Sequence, residues 1–164
     1  MAATPDDLYA RLRELQIEWT AHEHPPLRTV EESRRLRGAL PGAHCKNLFL
    51  KDGKGQYWLV VALEDRAIDL KALPAAIGSA RLSFGRAERL REVLGVEPGA
   101  VTPFALINDP EHRVRVVLDA AMLERDPLNF HPLVNTATIT LDAESLQRFV
   151  AAMGHDVQRL EETP

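Results

Sequence analysis

The chain has 164 residues, 45% hydrophobic and 27% charged, which is enough for one domain (residues 1–164) with a real core and short for two. A formal net charge of −4 argues against a bulk nucleic-acid binder, and a single cysteine, Cys45, excludes an internal disulfide and any Cys-x-x-Cys metal site. No apolar run approaches membrane-spanning length and the first seven residues lead into a helix rather than a signal peptide, so a soluble cytoplasmic protein with no membrane partner is expected.

Thr4 has the chemistry of an N-cap, with Pro5 at the first helical position, Asp6 and Asp7 in the first turn, and Leu8, Leu12 and Leu15 on one face. Alternation from Ile17 to Ala21 predicts a strand, stopped by Pro25-Pro26. Thr29-Val30-Glu31-Glu32 has capping-box spacing and opens a short charged helix through Arg34, Arg35 and Arg37. The run ending Leu48-Phe49-Leu50 predicts a buried strand that turns at Asp52-Gly53-Lys54-Gly55 into a second, Tyr57 to Leu63.

Asp69 is a candidate cap for a helix carrying Leu70, Leu73 and Ile77, with Pro74 tolerated only as a new first-turn residue. A short strand, Ala80 to Phe84, precedes a helix with Leu90 and Leu94 inward, ending near Gly95. Val101 to Ile107 and Arg113 to Leu118 are predicted as strands separated by Asn108-Asp109-Pro110. Ala137 to Leu141 is a strand, and Asp142 caps a helix using Leu146, Phe149, Val150 and Met153 before Gly154 stops it. Hairpins mixed with single helices imply an α+β fold with a mixed or antiparallel sheet.

Phosphate loops, dinucleotide glycine fingerprints, Gly-x-Ser-x-Gly elbows and His-Glu-x-x-His zinc helices are absent. His22-x-His24 has the spacing of a metal pair, but no cysteine or carboxylate cluster supports it, so no metal is expected. His44-Cys45 fails as a base and nucleophile because adjacent strand residues point to opposite faces, and Cys45 reads better as a small buried residue. Arginines 34, 35, 37, 81, 86, 89 and 91 offer either local basic surface or solvated helix faces. No recognition helix for DNA is identifiable.

Lys46 is different. Alternation puts it on the face of Leu48 and Leu50, where an ammonium group is costly unless something occupies it. One reading is a strand-end lysine reaching back to water; the other is a cation at a pocket rim, held for an anionic or carbonyl-bearing ligand. Asn47 beside it can orient a carbonyl or a water, or simply bond nearby backbone.

The segments HCKNLFLKDGKGQYWLVV, IDLKAL, RLSFGRAERLREVLGVEPGAVTPFALIND, VVLD and NFHPLVNTATI together resemble the YbaK/prolyl-tRNA-synthetase-associated domain family, from about Ile17 to Val157. Within it the similarity is greatest to free-standing editing proteins that hydrolyse alanyl-tRNA(Pro). Ala105 departs from the glycine expected in many relatives. The resemblance implies a single domain with a mixed, partly closed sheet flanked by helices, binding the acceptor end of a charged tRNA in a cleft.

It also implies catalytic roles for Lys46 and Asn47. Substrate-binding roles fall on Arg81, on the loop Gly99, Ala100, Val101 and Thr102, and on His131, read first as pocket wall and second as general base. The implied reaction is water attack on an aminoacyl ester, assisted by the vicinal ribose hydroxyl, with no cofactor, with mischarged tRNA(Pro) as partner and with at most transient synthetase contact. A deacylase for another misacylated tRNA, or a noncatalytic tRNA- or synthetase-binding module of the same fold, is the alternative.

Overall fold

A computed structural model describes residues 2–26 and 30–161, apart from the side chains of Val30, Ser33, Arg34, Arg37 and Ala39. The expected cap Thr29 and the side chains of Arg34 and Arg37 thus lie outside the described residues. Thr4 caps helix α1 (Pro5–Glu14) as expected: its hydroxyl accepts from the Asp7 N–H at 3.2 Å and Asp7 returns the bond to the Thr4 N–H at 2.8 Å. α1 buries Leu8 and Leu12.

The strand expected from Ile17 forms later, as β1 (Thr20–Glu23). Gln16 takes a positive φ of 58° and the Ile17 N–H bonds back to Leu12 O at 2.9 Å, so Ile17 closes the helix and is buried by it. Helix α2 (Val30–Ala39) leads to β2 (Ala43–Asp52) and β3 (Tyr57–Leu63), the expected hairpin. In α3 (Leu73–Ile77) Pro74 does sit in the first turn, where its missing N–H costs nothing. β4 (Leu82–Phe84) and α4 (Ala87–Leu94) follow, with Gly95 left-handed at the helix end.

Val101 to Ile107 is not a strand. Pro98–Ala100 and Pro103–Asn108 form two 3-10 turns. Pro103 lacks the N–H a ladder needs, and the Thr102 hydroxyl accepts from Phe104 N–H at 3.3 Å, starting a turn instead. The apolar run that imitates a strand is buried on all sides rather than on alternate ones. β5 (Val114–Asp119), β6 (Leu128–Phe130), β7 (Ala137–Leu141), α5 (Ala143–Ala152) and β8 (Val157–Leu160) complete the order; β6 and β8 are short strands without a clear sequence pattern.

The sheet is mixed, in the order β1-β7-β6-β2-β3-β5-β8, with β4 added to β2. β2 pairs antiparallel with β3 and β4 and parallel with β6. Alternation in β3 splits the core: Tyr57, Leu59 and Val61 join the larger cluster with α1, α4 and α5, while Trp58 and Val60 join a smaller one with Leu50, Leu73 and Ile77. Burial of both faces explains why β3 reads as an unbroken apolar run.

Candidate active site

One flank of β2 is paired without a break with β3, from Cys45↔Leu63 to Lys51↔Tyr57. The other flank is not. Among the described residues it pairs with β6 at Ala43 and His44, and with β4 from Leu50 onward. Odd-numbered residues turn their main chain toward this flank: Ala43 N–H donates to Pro127 O and Phe49 O accepts from Gly85 N–H, both at 2.9 Å. Asn47 lies between them, at the interruption. Lys46 and Asn47 therefore stand where the sheet opens.

Lys46 shares the face of Leu48 and Leu50, as alternation requires, and is half-buried. Its Nζ donates to the main-chain carbonyl of Arg66. Arg66 is itself held: Nη1 donates to Asp119 Oδ1 at 2.6 Å and to Leu160 O at 3.2 Å, and Nη2 to Glu161 O at 2.6 Å. Asp119, wholly buried, also accepts from the Leu63 and Ala121 N–H groups at 3.0 and 3.1 Å. A cavity of about 680 Å³ opens beside this support, lined by His44, Arg66 and Arg125 among others.

Asn47 points to the other side, toward the larger cluster. Its Oδ1 is buried and accepts no hydrogen bond from the described residues. An orphaned buried acceptor costs about 1–3 kcal/mol, which a ligand N–H or O–H would relieve. Cys45, on the same face and half-buried, has its thiol pushed up to about 12, chiefly by burial, which disfavours the thiolate that a nucleophile needs. His44 and Cys45 face opposite sides of the strand, which separates that pair as expected.

The β2–β6 pairing ends at His44↔Asn129, two residues before Lys46 on one strand and two before His131 on the other. His131 follows β6 directly. Its Nδ1 lies 2.9 Å from Ala137 O, and a carbonyl only accepts, so Nδ1 carries the proton and Nε2 presents a lone pair. Burial holds the imidazole below its ordinary pKa, outweighing the Ala137 bond, and the nearby His24 adds to the depression. His24 lies between His22 and His131, each ring tilted against it with a centroid 6.2 Å from its own. Among the described residues no group of three His, Cys, Asp or Glu is placed to hold a metal ion.

The Gly99–Thr102 loop meets the same segment: a Cβ on Gly99 would lie 3.3 Å from Asn135 Nδ2. Phe104, just after the loop, packs edge-on against Phe130 at 6.0 Å. Ala100 and Thr102 are buried and Val101 half-buried. The loop and His131 thus share the segment that follows β6, while Lys46 and Asn47 stand at the opening of the β2 flank.

Arg81 is placed elsewhere. It precedes β4, whose Leu82 pairs with Asp52, six residues and about 20 Å along β2 from Lys46. There it lines a groove of about 850 Å³ with Lys51, Phe84, Arg86 and Arg89. Arg66, Asp119 and this groove escape sequence reasoning; only the charged end of the apolar run Val116-Val117-Leu118-Asp119 hints that Asp119 is buried and paired.

The profile of the family described as "Aminoacyl-tRNA editing domain" matches residues 24–149, and the chain belongs to that family. It is 42% identical over 153 residues to the Prolyl-tRNA editing protein ProX of Acetoanaerobium sticklandii, covering 93% of each chain. It is 43% identical over 155 residues to the Prolyl-tRNA synthetase associated domain-containing protein 1 of Mus musculus, covering 92% of this chain and 91% of the relative. A crystal structure described as a candidate trans-editing enzyme for prolyl tRNA synthetase has the same fold, with a TM-score of 0.72 over 99% of both chains at 21% identity. Every residue of the candidate site lies inside the matched span.

Proposed function

We propose that this chain is a trans-acting deacylase that clears alanine from mischarged tRNA(Pro). The observation that carries the reading is the pair Lys46–Asn47 at the interruption of the β2 ladder, one side chain cationic and the other presenting an unsatisfied buried acceptor. The names of the relatives support prolyl-tRNA as the tRNA concerned.

In this reading the ester of the terminal ribose enters the opening. A water oxygen bonds to the carbonyl carbon, the ester C–O bond breaks, and the water's proton ends on the departing ribose oxygen. Free alanine and an intact RNA with vicinal hydroxyls are released. The neighbouring ribose hydroxyl helps draw the proton from the water, so no protein nucleophile is needed. Lys46 supplies positive charge to the terminal phosphate or the developing oxyanion, and Asn47 orients water or substrate. Backbone of Gly99 to Thr102 and the His131 ring wall the amino-acid pocket, and Arg81 contacts RNA from the cationic groove. The partner is the tRNA acceptor end, with transient contact to prolyl-tRNA synthetase, in the cytoplasm where charged tRNA is made.

A synthetase pocket shaped for proline excludes the smaller alanine poorly, because each missing methylene is worth only about 1–3 kcal/mol. A second pocket too small for proline restores the accuracy. The test is single-turnover hydrolysis of a panel of aminoacyl-tRNAs by the purified protein. Alanine release from tRNA(Pro) well above the others is expected. Preferential release of another amino acid would make this a different deacylase, and no release at all would leave a noncatalytic binding module.

A further inference from the structure

We propose that Phe84 is a stacking platform for an unpaired nucleobase of the RNA 3′ end, set in a cationic groove that holds the adjoining phosphates. The inference rests on the reading above only in taking RNA as the substrate. Phe84 is the single exposed large hydrophobic among the described residues, with 65% of its surface accessible. Isolated exposed apolar side chains need no explanation, but this one does not stand in neutral surroundings.

Lys51, Arg81, Arg86 and Arg89 share its groove of about 850 Å³, and all four are exposed. Arg89 is paired with Glu92; among the described residues no carboxylate lies within ion-pairing distance of Lys51, Arg81 or Arg86. The acid in the groove, Asp52, is buried and turned inward, accepting from Lys54 N–H, Gln56 N–H, Trp58 Nε1–H and Ala80 N–H. A local excess of cations on a chain of net charge −4 favours a polyanion. An aromatic face among such cations is the arrangement that binds single-stranded nucleic acid, bases stacking while the groove follows the backbone.

Phe84 is also held in place and well aimed. Gly85 N–H donates to Phe49 O at 2.9 Å, and the Phe49 ring sits where a Gly85 Cβ would be, so the turn after Phe84 is wedged against the core. Phe84 pairs with Leu50 and so shares the sheet face of Lys46. Leu50 is three residues from Asn47, about 10 Å along the strand. A base on Phe84 therefore belongs to a nucleotide near the one carrying the ester, and β4 serves as the rim over which the strand enters.

The test uses the full chain with Phe84→Ala, Phe84→Leu and Phe84→Trp, and three probes. These are an acceptor-stem hairpin RNA with its unpaired 3′ nucleotides, the same hairpin trimmed blunt, and alanyl-adenosine. Stacking predicts that Phe84→Ala and Phe84→Leu weaken the tailed hairpin on the order of tenfold while Phe84→Trp retains binding. It also predicts that the blunt hairpin is indifferent to all three and that alanyl-adenosine hydrolysis is unchanged. In parallel, Arg81→Ala should reduce the salt dependence of hairpin binding by about one counterion.

Wild-type affinity in Phe84→Leu would overturn stacking, and an equal loss on the blunt hairpin would overturn the unpaired base. Slowed alanyl-adenosine hydrolysis would move Phe84 into the reaction site and overturn the proposal. So would concentration-dependent self-association of the wild type that Phe84→Ala abolishes, since the patch would then be a protein contact. Binding with the expected pattern but no hydrolysis of any ester would sustain the stacking proposal and refute the deacylase reading.

Discussion

Arg66 binds Asp119 through its guanidinium and Lys46 through its carbonyl, so one residue joins a buried ion pair to the candidate catalytic cation. The Asp119 carboxylate is wholly buried and the Arg66 side chain is 16% exposed. Removing one partner of such a pair typically costs about 3–5 kcal/mol, because the other charge is left stranded. Asp119→Asn should therefore lower stability by about 3 kcal/mol in urea unfolding and slow single-turnover deacylation under conditions where the variant is still folded. A folded variant with an unchanged rate would show that Lys46 does not depend on this support.

Lys46→Ala should abolish deacylation with little loss of fold. The residue is half-buried at a break in the ladder and its ammonium contributes one hydrogen bond to a loop already fixed by Asp119, so its stability contribution is on the order of 1 kcal/mol. Circular dichroism, thermal melting and hydrolysis run on the same preparation separate the two effects. An active Lys46→Ala protein would remove the residue from the site.

Local chemistry made much of the fold legible. Thr4 and Asp142 are caps that act within three residues, Gly95 and Gly154 end helices with positive φ, and the Asp52-Gly53 turn fixes the β2–β3 hairpin. Lys46 was legible for a related reason, since period-two alternation places a charge on the face of two leucines. Long-range pairing was not legible. The interruption of the β2 flank depends on β6 and β4, which come from segments about 80 and 30 residues downstream and carry three residues each. The same holds for Asp119 and Arg66, whose pairing spans 53 residues and has no signature in spacing. Val101 to Ile107 misled because full burial, like a central strand, produces an unbroken apolar run; Pro103 was the contrary signal. Arg81 follows from the resemblance alone, and its place in a groove with Phe84 required the fold.

Exhaustive chelation should leave activity unchanged. His22, His24 and His131 form a file rather than a cluster, with His24 already bonded to Pro25 O and Thr138 Oγ1 at 2.9 Å each. Loss of activity to chelator, restored by zinc, would refute this and point back to His22, His24 and His44.

His131 should make the fold sensitive to mild acid. Its folded pKa lies below the ordinary 6.5 because the ring is buried. From pH 6.5 downward the unfolded chain takes up a proton that the folded one resists, so the contribution present above 6.5 is lost as pH falls toward the folded value. His131→Ala should flatten that part of the stability–pH curve, read by urea unfolding at each pH. An equally steep decline in the variant would assign the sensitivity to other groups.

The amino-acid filter exposes the functional reading most directly. Alanyl-tRNA(Pro) should be hydrolysed rapidly and prolyl-tRNA(Pro) negligibly. A thousandfold preference needs about 4 kcal/mol at the transition state, at about 1.4 kcal/mol per factor of ten. Loss of one hydrogen bond, worth about 1 kcal/mol, falls short; overlap of a proline ring with a rigid wall suffices. That wall has rigid parts: Thr102 is fully buried, Asn135 leaves little room for a side chain at Gly99, and His131 is fixed through Nδ1 to Ala137 O. His131→Ala should therefore raise the rate on prolyl-tRNA relative to alanyl-tRNA, even where the absolute rate on alanyl-tRNA drops. If His131 were instead the general base, both rates would fall together and the ratio would stay put. Equal rates on the two esters in the unmodified protein would end the editing reading, whereas an unchanged preference after His131→Ala would remove only that ring from the wall.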